Sequence, residues 1–177
     1  HRLGRRSDAM ALAMMRKRFL RQVPSAQWHE WAPIHRDSER LGTEQLFGRP
    51  MRPVADLSAA RVLVCLDADP LMNHPASLAH SSAWAALRTS ADDDEPLLSR
   101  VYSVESTLSV TGSAADIRIP ARTADIATIA AQLAAATGVP LPADVSSIVD
   151  AAGPADQQIL QMAADLKSHP GNCLVMA

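Results

Sequence analysis

Residues 61–66, RVLVCL, contain an apolar run that no polar residue interrupts before Asp67. A strand with one wet face alternates apolar and polar side chains, and this one does not. Continuous apolar character belongs to a strand covered on both faces, as in a parallel sheet packed between helices. The flanking sequence supplies the other elements. Arg100–Glu105 (RVYSVE) reads as a second strand, 116–120 as a short extended piece and 172–176 as a last strand. Between them, helices are predicted over 76–87, 123–137, where Ile126, Ile129 and Leu133 share a face and Gly138 is the stop, and 155–167. Strands alternating with helices of this length predict βαβ units, hence an α/β fold with a doubly wound, mostly parallel Rossmann-like sheet.

Upstream, 8–22 reads as a helix with Leu12, Met15 and Phe19 at i, i+3 and i+7, Ser7 or Asp8 as its cap, and Pro24 after its end. Residues 26–31 read as a short strand, with Trp28 and Ile34 adding apolar mass, and 37–47 as a helix capped by Asp37 or Ser38 and closed by Gly48 and Pro50. Asp92–Asp94, Glu95 and Pro96 read as an acidic loop. One domain is expected over 1–177, with a basic N-terminal helix in 1–25 and a connector over 140–154 marked by Pro140 and Pro142. The chain starts at His1 with no signal-like segment, and it is expected to be a piece of a longer protein.

A chain of 177 residues with 47% hydrophobic and 20% charged residues has the composition of a folded domain rather than a disordered tail. No apolar run approaches the roughly 20 residues of a membrane-spanning helix. Two cysteines exclude a disulfide-dense scaffold and a cysteine-held cluster. Cys65 and Cys173 both fall in predicted strands, where thiols are packing groups. Charge is lopsided: residues 1–61 hold 12 Lys and Arg against 6 Asp and Glu, and residues 62–177 hold 5 against 13. Arg16, Lys17, Arg18 and Arg21 complement the carboxyl end of their helix, and Glu30, Glu39 and Glu44 break up the basic stretch. That pattern favours docking inside a larger assembly over nucleic-acid binding.

In open α/β sheets, ligands bind beyond the carboxyl ends of the strands. Two loops there carry unusual residues. One runs from Asp67-Ala-Asp69-Pro70 to His74-Pro75, and the other from Glu105 through Thr111-Gly112 to Asp116. Asp67, Asp69, His74 and Glu105 make a candidate metal or acid/base cluster, because carboxylate and imidazole ligands suit divalent ions. Alternatively, the aspartates cap loops by accepting backbone N–H groups. Carboxylates converging above Leu66 and Val104 are expected to raise one another's pKa or to draw in a cation. There is no Gly-x-Ser-x-Gly elbow, no GxGxxG and no phosphate-binding GxxxxGK[ST] loop.

The stretch FGRPMRPVADLSAARVLVCLDADPLMNHP, starting at Phe47, resembles the molybdopterin-oxidoreductase-like subunit of alternative complex III and its hybrid relatives. LSRVYSVESTLSVTGSAADIRIP, from Leu98 to Pro120, resembles it more closely, and the terminal SHPGNCLVMA resembles that subunit's next strand. The resemblance runs from about Trp28 to the end.

It implies a cofactor-binding fold that has lost its cofactor, with a vestigial site at Asp67, Asp69, His74, Glu105, Thr111, Gly112 and Asp116. Where the family's enzymes present Gly and Asn to a pterin dinucleotide, this chain has Asp67 and Asp69. Two carboxylates facing a diphosphate would repel it, by about 4 kcal/mol for a bare pair at roughly 4 Å in an effective dielectric of about 20. No catalytic residue, metal or cofactor is expected in these residues, and iron–sulfur clusters are expected elsewhere in the parent chain. The implied protein is a non-catalytic structural domain of a membrane-associated, quinol-oxidising electron-transfer complex. Its partners would be the other subunits, its location peripheral on the periplasmic side, and nucleic acid would not be a partner. The alternative is a free-standing α/β enzyme using the acidic crevice, with or without a metal.

Overall fold

The computed structural model describes residues 2–4, 9–30, 37–51, 53–89 and 100–177. The expected caps Ser7 and Asp8, the apolar Ile34 and the acidic loop at 92–96 lie outside the described residues. The chain falls into two compact units, 1–53 and 54–177.

In the first unit, strand β1 (Arg2–Gly4) pairs in parallel with β2 (Trp28–Glu30). Helix α1 (Met10–Gln22) has no acidic residue and ends just before Pro24, which cannot continue it. Its apolar spacing predicts a buried face, yet Leu12 and Met15 are exposed and no residue of α1 is buried. The Arg16 guanidinium lies over the Trp28 ring at 5.5 Å, a cation–π contact between helix and strand. Helix α2 (Asp37–Phe47) carries Asp37 and Glu39 in its first turn, where the helix dipole favours anions. Its buried Thr43 hydroxyl accepts the Met51 N–H at 3.0 Å, turning the chain back along the helix after Gly48.

The second unit holds β3 (Val62–Leu66), α3 (Ser77–Arg88), β4 (Arg100–Glu105), α4 (Val110–Ala114), β5 (Ile117–Pro120), α5 (Thr123–Thr137), α6 (Ala143–Ala152), α7 (Gln157–Ser168) and β6 (Cys173–Met176). The strands form one sheet in the order β5-β4-β3-β6, all parallel. This is the Rossmann-like doubly wound α/β arrangement. Strands β3, β4 and β5 step outward in one direction, and β6 returns to the other side of β3.

Burial follows strand alternation. Val62, Val64 and Leu66 join Tyr102, Val104 and Ile119 on one face, against Leu133 of α5 and Ile159, Met162 and Ala163 of α7. Leu63 and Cys65 join Val101 on the other, against Leu87 of α3 and Leu57 and Ala60. All five residues of β3 are therefore buried, as the unbroken apolar run requires. Each such aliphatic side chain contributes about 1.5–3 kcal/mol relative to exposure. At the amino edge of the sheet, the Tyr102 hydroxyl donates to Asp165 Oδ2 at 2.6 Å and Arg100 Nη1 reaches the same oxygen at 3.0 Å.

In the second unit, two elements differ from expectation. The connector at 140–154 contains α6, which packs on α5. The loop after β4 contains α4, a five-residue helix capped by the Ser109 side chain, which accepts the Gly112 N–H at 2.9 Å.

Candidate functional site

The carboxyl ends of β3 and β4 open into a crevice of about 420 Å³. Its walls are the two loops singled out in the sequence, 67–73 and 105–110. It lies over the β3–β4 pair, one strand away from the β3–β6 reversal. Asp67, Asp69 and Glu105 line it together.

Each carboxylate is held by its surroundings. Asp67 turns the chain out of β3 with φ +53°, a left-handed conformation that favours Gly or Asn. Its N–H donates to Val104 O at 2.7 Å, and its Oδ1 accepts the Ser106 N–H and hydroxyl, both at 3.3 Å. Asp69 is tied to the opposite loop. Its Oδ1 accepts the Thr111 N–H at 3.1 Å and the Thr111 hydroxyl at 2.7 Å, and its Oδ2 accepts Asn73 Nδ2 at 3.1 Å. Thr111 Oγ1 in turn accepts the Leu71 N–H at 3.2 Å, so one buried hydroxyl stitches the two loops together.

Glu105 is 2% exposed and points into its own loop. Its Oε1 takes Arg118 Nε at 2.5 Å, its Oε2 takes the Ser109 hydroxyl at 2.6 Å, and both oxygens sit 3.3 Å from the Ser109 N–H. Burial pushes this carboxyl up, but the Ser109 hydroxyl and Arg118 outweigh it, and it ends below its ordinary value. The expectation that neighbouring carboxylates would raise it is corrected here: a guanidinium and a hydroxyl face it directly. Beside it, Gly112 leaves room that no other residue would, since a Cβ there would fall on Glu105 Oε1.

The remaining candidates are placed differently. His74 does not line the crevice. Its Nδ1 accepts the Ala76 N–H at 3.0 Å, opening α3, and its ring lies 4.6 Å from that of His80. Buried His80 bridges Pro70 O at 3.2 Å and Ala55 O at 3.3 Å, holding the first loop to the segment before β3. Asp116 is at the other end of the sheet. It precedes β5, and a residue before a parallel strand sits at the amino edge, opposite the crevice. There its Oδ2 accepts the Val101 N–H at 2.7 Å, and Arg88 grips both oxygens at 3.0 and 2.5 Å. Burial raises the Asp116 carboxyl, and Arg88 with the Val101 N–H more than reverses this. Among the described residues, no group of three or more His, Cys, Asp or Glu side chains is arranged to hold a metal. Cys65 is buried in β3, its thiol pushed up to about 12 by burial and by the nearby Asp69 and Glu105 charges.

Sequence reasoning missed Arg118 and Ser109. An arginine inside IRIP was the available signal, because a cation in a short apolar strand requires a partner. No protein-family model matches the chain, and no curated protein matches it. No helix among the described residues is long and apolar enough to cross a membrane.

Proposed function

We propose that the Rossmann-like unit is a non-catalytic structural domain of the molybdopterin-oxidoreductase-like kind, with its strand-end cofactor site closed. One observation carries this reading. Asp67, Asp69 and Glu105 line the crevice, and each accepts hydrogen bonds from the two loops, Asp67 through Oδ1 and Glu105 with Arg118 of β5 as a further donor. An anionic cofactor would meet carboxylates, and an acid/base reaction would have to break these bonds first. The left-handed backbone at Asp67 supports the same reading, since Gly is comfortable in that conformation.

In this proposal the domain scaffolds a membrane-associated, quinol-oxidising complex as a peripheral subunit on the periplasmic side. It carries no metal or cofactor itself, and the parent chain holds the iron–sulfur clusters elsewhere. The cationic end of α1, with Arg16, Lys17, Arg18 and Arg21, serves as a docking surface for a protein subunit rather than nucleic acid. The resemblance of residues 98–120 is the source of the assembly, and the crevice chemistry is the source of the inactivity.

Titration with guanine nucleotides tests it. The unaltered chain is expected to show no saturable binding, and Asp67→Gly/Asp69→Asn to show a gain. Binding by the unaltered chain at a micromolar Kd or tighter sinks the proposal.

A further inference from the structure

The closed-site reading leaves open what closes the crevice. Repulsion by carboxylates is one means, and occupancy is another. We propose that Glu105 acts as an internal ligand, its carboxylate filling an oxyanion subsite formed by Arg118 and Ser109 that would otherwise take a small carboxylate from solution. This rests on the closed-site reading and adds a mechanism to it.

The donors come from separate stretches of chain. Arg118 reaches in from β5 with its Nε–H at 2.5 Å, and Ser109 offers its hydroxyl at 2.6 Å and its N–H at 3.3 Å. The role of the Ser109 hydroxyl is fixed from behind. Its oxygen accepts the Gly112 N–H at 2.9 Å, which directs its proton to Glu105. Gly112 is the position at which a side chain would displace the carboxylate. These features describe a pocket shaped around one carboxylate group.

Glu105 lines the crevice and Arg118 does not. The carboxylate therefore stands between the cation and the crevice, although the Arg118 side chain keeps 31% of its surface exposed elsewhere. A guanidinium in a partly desolvated site is a strong carboxylate receptor, because charge-assisted hydrogen bonds gain strength as water is excluded. With Glu105 in place the subsite is neutralised and full. Asp67 and Asp69 on the same walls add repulsion but do not occupy it.

The experiment uses the 177-residue chain with sodium acetate as probe and sodium chloride at matched ionic strength as control. Glu105→Ala removes the carboxylate and leaves space for acetate. Its Tm is expected to fall, then to recover in a saturable way with acetate but not with chloride. The unaltered chain is expected to show no acetate-specific shift. In Glu105→Ala/Arg118→Gln the acetate affinity is expected to drop about tenfold or more. A folded Glu105→Ala that ignores acetate overturns the proposal, and so does equal recovery in the double variant.

If Glu105→Ala does not fold, two NMR measurements of the Arg118 Nε–H signal decide. In the unaltered chain the signal is expected to stay fixed on titration with acetate, and movement there overturns the proposal. In the near-isosteric Glu105→Gln, whose amide still fills the subsite, the signal is expected to stay fixed as well, and saturable movement there would show that charge rather than occupancy closes it, which overturns the proposal. Guanine-nucleotide binding by the unaltered chain would defeat the closed-site reading while leaving the acetate response of Glu105→Ala untouched, so the two failures are distinct.

Discussion

Asp116 and Glu105 show how a carboxylate's surroundings decide its role. Both are held below the ordinary carboxyl range, Asp116 by the Arg88 fork and the Val101 N–H, Glu105 by Ser109 and Arg118, in each case against the opposing effect of burial. A carboxyl whose folded pKa is depressed contributes stability that is fully present above its unfolded value, about 3.9 for Asp and 4.3 for Glu. That stability is lost as pH falls through the lower folded values. Denaturant unfolding is therefore expected to give a stability that is flat in its Asp116 and Glu105 contributions near neutrality and declines below about pH 4. Asp116→Asn is expected to be less stable at pH 7 and to show a shallower acid decline. An unchanged acid slope in that variant would show that the Arg88 pair is not its source.

Helix boundaries in this chain follow capping chemistry wherever a cap exists. Asp156 starts α7 by accepting the Ile159 N–H at 2.9 Å, and Gly138 ends α5 at φ +87°, its N–H bonding back to Ala135 O. Replacing an N-cap aspartate by alanine costs about 1 kcal/mol, within a range of roughly 0.5–2. Asp156→Ala is expected to lower unfolding free energy by that amount, and Asp156→Asn to retain most of it. The buried Ile159, Met162 and Ala163 make the result visible in global stability, because fraying of this turn loosens the core under β3. Equal losses in the Ala and Asn variants would mean that the cap is not the source. Helix α6 has no side-chain cap and no buried residue. Its Val, Ser and Ile are modest helix formers, so it depends on packing against α5, which the local sequence does not announce.

Across the molecule, β3 and β4 are the elements with the most support. Each is paired on both sides and buried on both faces, whereas β5 and β6 pair on one side and α1 has no buried residue. Amide exchange followed by mass spectrometry is expected to be slowest in 62–66 and 101–105, approaching the global unfolding limit, and fast throughout α1. Exchange in 62–66 as rapid as in α1 would contradict this ranking. The crevice loops are expected between these extremes, since they are anchored by side chains rather than by a ladder.

The sequence alone determined the order of the four strands and of α3, α5 and α7 in the second unit, and the loops that form the crevice. Those features rest on short-range patterns: the unbroken VLVCL run, the RVYSVE strand whose limits match β4, and the 123–137 helix with its glycine stop. They are legible because hydrophobic period and capping are local. Tertiary structure decided which side chains meet. Arg118 faces Glu105 only because β5 pairs beside β4, with Ser103 opposite Arg118. Asp116 leaves the candidate site because parallel strands all begin at the opposite edge. His74 turns toward Ala76 and His80, and Leu12 and Met15 of α1 are exposed and Phe19 only half-buried although their spacing predicts a buried stripe. Partner choice depends on register and strand order even where the partners are only 13 residues apart, as Glu105 and Arg118 are, and hydrophobic period does not encode it.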